Sequence, residues 1–304
     1  MMPDNAARNG LGSSRQVVLW LGIAGILAAA IGFSWDPTPL AQALAAIFIV
    51  CALAHAAFAY GMRRALILFI AGNVISFAME NFGAATGFPF GSYHFEVGAN
   101  LPHVGRIPII VGPLWFGACY FSWVIASVLL DGADRGLDRR FNLIALPIVA
   151  AFVVTQWDLV MDAPNATIAK AWIWHDGGRM FGVPLSNFLG WLVTSWLIFQ
   201  VFALYLRRSG VGPYPDRSTT LPVIGILFYL GSGLTHAVPL IIGQTGEAVD
   251  ARGYVWQVHD IREATVAILL LTMVFTALLA ALRLLQHARS NSVKSRWPGL
   301  NGAG

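Results

Sequence analysis

Eight runs of mostly apolar residues alternate with short polar stretches along the chain, at 16–34, 39–60, 64–83, 108–131, 142–162, 184–206, 221–243 and 263–286. About twenty such residues suffice to cross a bilayer as an α-helix. The pattern therefore predicts an all-α, polytopic integral membrane helix bundle of about eight transmembrane helices. The first run follows a short basic stretch, as a signal peptide does. It ends in "GFSWDPTPL" without a small-x-small cleavage site, and seven runs follow, so it reads as a retained helix. The expected organisation is a disordered cytoplasmic N-terminus (1–15), one transmembrane helical domain (16–288) and a disordered cytoplasmic tail (289–304).

Composition strengthens this picture. The 304 residues are 57% hydrophobic and only 11% charged, with a mean hydropathy of +0.66. Soluble domains carry about 25% charged residues, so no separate soluble domain is expected. Where the charges sit says more than the net +4. With eight spans, 14 of the 19 Lys and Arg residues share one side with both termini. The other side holds Arg106, Lys170, Arg179, Arg252 and Arg262. Positive residues favour the cytoplasm, so both termini are expected inside, in a multi-pass protein of the cell inner membrane. No nucleic-acid partner is implied. Cys51 and Cys119 lie in apolar runs without pairing or metal-ligand spacing and read as small core residues.

The opposite side carries three long loops, 83–108, 163–184 and 244–261, rich in Gly, Pro and aromatic residues. An interfacial aromatic belt explains several of the tryptophans. The density of turn residues points further, to ordered caps folded over the helix ends.

Ionisable residues interrupt the apolar runs in few places, and each costs at least about 2.5 to 3.5 kcal/mol at a helix centre. At 1.5 Å of rise per residue, Glu80 and Asp158 each lie about 24 Å from the inner end of their helices, and His236 about 22 Å. Asp162 sits one turn beyond Asp158. Each group belongs to a polar stripe spaced i, i+3, i+7: Asn73, Ser76, Glu80; Thr155, Asp158, Asp162; Tyr229, Ser232, His236. Such stripes face a bundle interior rather than lipid. From the loops, Asn187, His94, His175, His259 and Glu263 are within reach of the same layer. His55, deep in its own helix, reads as a structural hydrogen-bonded histidine. A buried network that only holds helices together is the bland alternative for the whole layer.

Carboxyls, aromatic faces and access from lipid suit acid chemistry on an apolar substrate. An apolar setting favours the neutral form of a carboxyl, and two close carboxyls resist double ionisation. A proton delivered to an alkene makes a carbocation, which aromatic faces stabilise. Asp158 is the first candidate for the proton donor, with Glu80 its competitor. Asp162 or His236 would position water, and Asn187 and Tyr93 would orient groups. Phe90, Tyr93, His94, Trp157, Trp172, Trp174 and Asn187 would line the substrate. No metal ligand set is expected.

The segments "MENFGAATGFPFGSYHF", "WDLVMDAP", "AWIWHDGGRMFGVPLSNFLGW" and "GLTHAVPL" resemble a family of membrane carotenoid-biosynthesis proteins. That family includes the CruF-type carotenoid hydratases and bisanhydrobacterioruberin hydratase, and the likeness runs from about residue 64 to 275. The resemblance implies addition of water across the terminal double bond of an acyclic carotenoid end group. It implies no cofactor, a lipid-soluble polyene substrate, and membrane lipids and other carotenoid-pathway enzymes as partners. Three other readings stand beside it. D-x-x-x-D can hold magnesium on a diphosphate, as in a membrane prenyltransferase. Intramembrane carboxyls also serve proton-coupled transporters, and a scaffold protein would use the layer structurally.

Overall fold

Apolar runs in this chain fold as α-helices because lipid offers no partner to a backbone N–H or C=O, and a helix satisfies both internally. The computed structural model describes residues 39–212 and 220–296. The expected helix at 16–34 and the disordered N-terminus lie outside the described residues. Eight helices carry the fold among them: α1 Pro39–Tyr60, α2 Met62–Thr86, α3 Val111–Leu129, α4 Arg140–Ala163, α5 Leu185–Ser209, α6 Thr220–Leu234, α7 Val258–Leu269 and α8 Phe275–Arg296. A π-turn, Leu270–Val274, joins α7 to α8, so one apolar rod spans Val258–Ala288. This rod continues to Arg296, into the stretch expected as a disordered tail.

Six helices of the described residues are long and apolar enough to cross a membrane, and Ala46–Tyr60 forms a shorter apolar one. The chain is thus a helical membrane protein. α3 is the axis of the bundle. It is buried along nearly its whole length and packs against α1, α2, α4, α6 and α8. The outer helices bury one side and expose large apolar residues such as Val74, Phe152 and Leu271 on the other. A water-exposed surface of that kind would be costly, whereas lipid accepts it.

The three long loops fold over one end of the bundle. β1 (Tyr93–Phe95) pairs antiparallel with β4 (Trp172–Trp174) in the register Tyr93↔Trp174, His94↔Ile173, Phe95↔Trp172, which ties the first loop to the second. Between them lies the small hairpin β2 (His103–Val104) and β3 (Ile107–Pro108). The third loop forms the hairpin β5 (Glu247–Val249) and β6 (Val255–Gln257). Arg252 donates to the Gly178 carbonyl (2.6 Å) and Lys170 to the Val249 carbonyl, which closes the third loop onto the second. Phe90, 1% exposed, fixes the first loop to the helices. Its ring occupies a slot between Gly83 of α2 and Gly190 of α5, where an added Cβ would approach it to 2.7 and 2.4 Å. Only glycine leaves that slot open.

At the other end of the bundle, His55 bonds Tyr120 Oη (2.6 Å) and the Leu221 carbonyl (2.8 Å), linking α1, α3 and α6. That is the structural role expected of it. Cys119 is a buried core residue and Cys51 is partly buried against the core; both are free thiols.

Candidate active site

The capped end encloses three carboxyls. α2 contributes Glu80, α4 contributes Asp158 and Asp162, and all three are buried, at 6%, 0% and 1% exposure. Spacing i, i+4 puts the two aspartates on one face of α4, and the adjoining π-turn Pro164–Ile168 leads the chain from there into β4. Asn187, two residues into α5, stands between them. Its amide donates to Asp158 Oδ2 (2.9 Å) and to Asp162 Oδ2 (2.5 Å). Glu80 is close enough to act electrostatically on both aspartates.

Donors to the three carboxyls are distributed unevenly. Glu80 Oε1 accepts from Trp115 Nε1 (2.8 Å), and Oε2 accepts from the Tyr93 hydroxyl. Asp162 Oδ1 accepts from Trp172 Nε1 (2.7 Å), and its Oδ2 is taken by Asn187. Asp158 Oδ1, by contrast, is buried without a hydrogen-bond partner. A carboxylate oxygen left bare in an apolar interior is expensive, and a proton on it removes most of that cost. No arginine or lysine takes part in these contacts. Burial and the Glu80 charge push the Tyr93 phenol above its ordinary range, so Tyr93 acts here as a donor.

Aromatic rings wall the cluster. Trp115 of α3 stacks on Trp191 of α5 with centroids 3.7 Å apart, and Trp157 of α4 lies 6.0 Å from Trp191. Phe90 and Tyr93 meet edge to face at 6.2 Å, and Tyr93 is tilted against Trp174 at 4.9 Å. The buried Trp174 indole N–H lies near Asp162 without closing a hydrogen bond to it, and the Trp157 N–H is also unpartnered.

These side chains come from 41–249, the stretch matched by the family described as carotenoid biosynthesis protein. The chain belongs to that family. Among curated proteins it is similar to the bisanhydrobacterioruberin hydratase of Haloarcula japonica, 26% identical over 149 residues. The match covers 49% of this chain and 48% of the relative, so it spans about half the length of the protein it matches. No solved structure matches.

The structure brings together Glu80, Asp158, Asp162, Asn187, Tyr93, Phe90, Trp157, Trp172 and Trp174 from the residues singled out in the sequence. It leaves others outside. His236 was expected in the carboxyl layer, but α6 ends at Leu234 and a 3-10 turn, Thr235–Ala237, breaks the stripe two residues early. The charge that acts on His236 is that of Arg262 on α7. The other two members of its stripe also turn elsewhere. Tyr229 donates to Gln156 (2.9 Å) and to the Val153 carbonyl (3.1 Å), and Ser232 bonds the Tyr229 carbonyl (2.7 Å). His94 lies on the face of the β1–β4 ribbon opposite Tyr93. It bonds His175 (2.6 Å) and Glu96 (2.9 Å), and Ser92 bonds His175 (3.0 Å). His259 and Glu263 are exposed.

Two aromatic residues of this wall escaped the sequence reading. Trp191 lies one turn after Asn187 on α5, a spacing that could have revealed it. Trp115 left no such sign, because its partners Glu80 and Trp191 belong to other helices.

Proposed function

We propose that this carotenoid-biosynthesis protein is a hydratase that adds water across the terminal C=C bond of an acyclic carotenoid end group, with Asp158 as the acid. The observation that carries the proposal is the unequal supply of donors. Both oxygens of Glu80 and of Asp162 accept hydrogen bonds, which suits carboxylates, while Asp158 has one oxygen with none. Asp158 is then the carboxyl that carries the proton.

In this scheme the alkene π pair takes the Asp158 proton at the less substituted carbon of the terminal double bond, forming a C–H bond there and a tertiary carbocation at the chain's end. Two nearby carboxylates and the Trp115, Trp157 and Trp191 faces stabilise that cation. A water held by Asp162 attacks it through oxygen, and the C–O bond forms as the water loses a proton to Asp162. Passage of that proton back across the dyad to Asp158 restores the starting state. Alkene and water give the tertiary alcohol, with no change in oxidation state and water as the co-reactant. Tyr93, Asn187 and Trp172 hold the carboxylates in place. Both termini are assigned to the cytoplasm in this reading, which sets the carboxyl cluster toward the outer face of the inner membrane.

The test is expression in a lycopene-producing bacterial host followed by mass analysis of the pigments. A gain of one or two waters is the expected result. Well-expressed protein that yields no hydrated product from any acyclic carotenoid would overturn the proposal. A magnesium-dependent product from an isoprenoid diphosphate would replace it with prenyl transfer.

A further inference from the structure

A groove of about 460 Å³ opens along the seam between α4 and α5. Its α4 wall includes Ile144, Ile148, Ala151 and Phe152, and its α5 wall includes Trp196 and Gln200. Its size falls within the range of small-molecule sites, roughly 300 to 1,000 Å³. The polar wall residue, Gln200, turns its amide to the Leu143 carbonyl (3.4 Å), so the groove presents almost nothing that asks for a hydrogen bond.

The groove lies in register with the carboxyls. Ile144, Ile148, Ala151, Thr155, Asp158 and Asp162 follow one another at i+4, i+7, i+11, i+14 and i+18, a single face of α4. The lower part of this face is open to lipid, with Ile144 and Ile148 at 58% and 41% exposure, and the upper part is covered, with Thr155 and Asp158 at 6% and 0%. The far end of the groove is about 20 Å from the carboxyls whether measured from Ile144 to Asp158 or, on antiparallel α5, from Gln200 to Asn187. Phe152 and Trp196, 59% and 39% exposed, offer flat π surfaces on opposite walls.

We infer that this groove holds the conjugated chain of the substrate, and that the chain's end group turns inward between Ala151 and Thr155 to reach Asp158. The inference rests on the hydratase reading for what happens at the carboxyl end. An extended, rigid polyene suits an apolar groove lined by two long helices, has flat faces for Phe152 and Trp196, and needs no polar partner until its reacting end. The groove thereby selects long acyclic polyenes over short olefins through binding along the chain rather than at the reacting bond.

Binding can be read without turnover. Asp158→Asn protein in lipid nanodiscs is titrated with lycopene, and quenching of tryptophan fluorescence reports occupancy. Adding Trp196→Phe should reduce the quenching amplitude with affinity retained. Adding Ile148→Trp, a bulky group at a position with room toward lipid, should weaken lycopene binding about tenfold or more. In protein with Asp158 intact, Ile148→Trp should leave hydration of a short acyclic olefin, which ends before the groove, unchanged. Unaltered lycopene titration in both variants would mean that the groove holds bulk lipid alone, and would overturn the inference. Failure of the hydratase reading would show separately, as no product from the unmutated protein whatever the titration gives.

Discussion

Two buried aspartate clusters lie at opposite ends of the bundle, and they are built on opposite plans. Asp134, 1% exposed in the turn Ala133–Arg135 that follows α3, has a full set of partners. Tyr60 donates to its Oδ2 (2.6 Å), Ser127 donates to its Oδ1, and the Arg135 guanidinium pairs with it at 3.0 Å while lying 4.5 Å over the Tyr60 ring. Trp123 completes the set by donating to the Tyr60 hydroxyl (3.1 Å). Among the described residues Asp158 has no cation beside it, a like charge one turn away in Asp162, another across the helix seam in Glu80, and one oxygen with no donor. A buried charge kept for structure is enclosed by its complement. One left short of partners costs stability, and the cost is tolerable where the proton it holds is used.

Exchanging the two aspartates' roles by mutation should give opposite phenotypes. Asp158→Asn keeps the shape and the Asn187 contact but removes the transferable proton. Hydrated product should fall roughly a hundredfold to ten-thousandfold, the range of a lost general acid, with the thermal transition unchanged or raised. Full activity in this variant would end the assignment of Asp158 as the acid. Asp134→Ala should do the reverse. It leaves Arg135 without its carboxylate and should cost about 3 to 5 kcal/mol of stability, visible as lost yield and a lower Tm, while activity per folded molecule holds. An equal loss of specific activity would mean that the Asp134 cluster is coupled to the site.

Glu80 provides a finer distinction, because it is uncompensated by cations yet fully supplied with donors. In Glu80→Gln the new amide can face the Tyr93 hydroxyl, which is free to turn and accept, while the amide oxygen keeps the Trp115 N–H. Folding should survive. Turnover should fall on the order of a hundredfold, the scale of one unit charge removed about 6 Å from a developing cation at an effective dielectric constant of about 20. Steady-state kinetics separate the two possible roles. A fall in kcat with KM unchanged indicates stabilisation of the transition state, whereas a change confined to KM would demote Glu80 to a binding residue.

Much of this contrast was legible in the sequence, and the parts that were not share a cause. Stripes at helical spacing placed Glu80, Asp158 and Asp162 in one layer because α2 and α4 run as unbroken helices through it. The same logic failed for His236, since periodicity cannot foresee that α6 tightens into a 3-10 turn at Thr235. Asn187 was reachable from its position at the start of α5. The bridge it makes between two carboxyls was not, because that depends on how α4 and α5 cross. Trp115 and the α4–α5 groove are likewise products of packing between helices, and no single run of residues records them.

The smallest effect is expected where an aspartate is paired but exposed. Asp131, at the opposite end from the caps, accepts from Arg283 Nε (2.6 Å) and Nη2, and pairs with His287 Nε2 at 2.8 Å. Arg283, through its hydrogen bonds, holds the Asp131 carboxyl below its ordinary value of 3.8; burial opposes it and His287 adds to it. Because the folded value is the lower one, the pair stabilises the fold at all pH values above 3.8 and loses that contribution as pH falls through the depressed value. Water and salt screen such a pair, so Asp131→Asn should lower Tm at neutral pH by no more than about a degree or two. The difference from the unmutated protein should shrink below pH 4 and disappear at the most acidic pH the fold survives, and added salt should reduce it at any pH. Thermal transitions of both proteins measured across pH and salt check this. A shift as large as that of Asp134→Ala would mean that pairing alone, and not the burial of the pair, sets what an aspartate contributes to this fold.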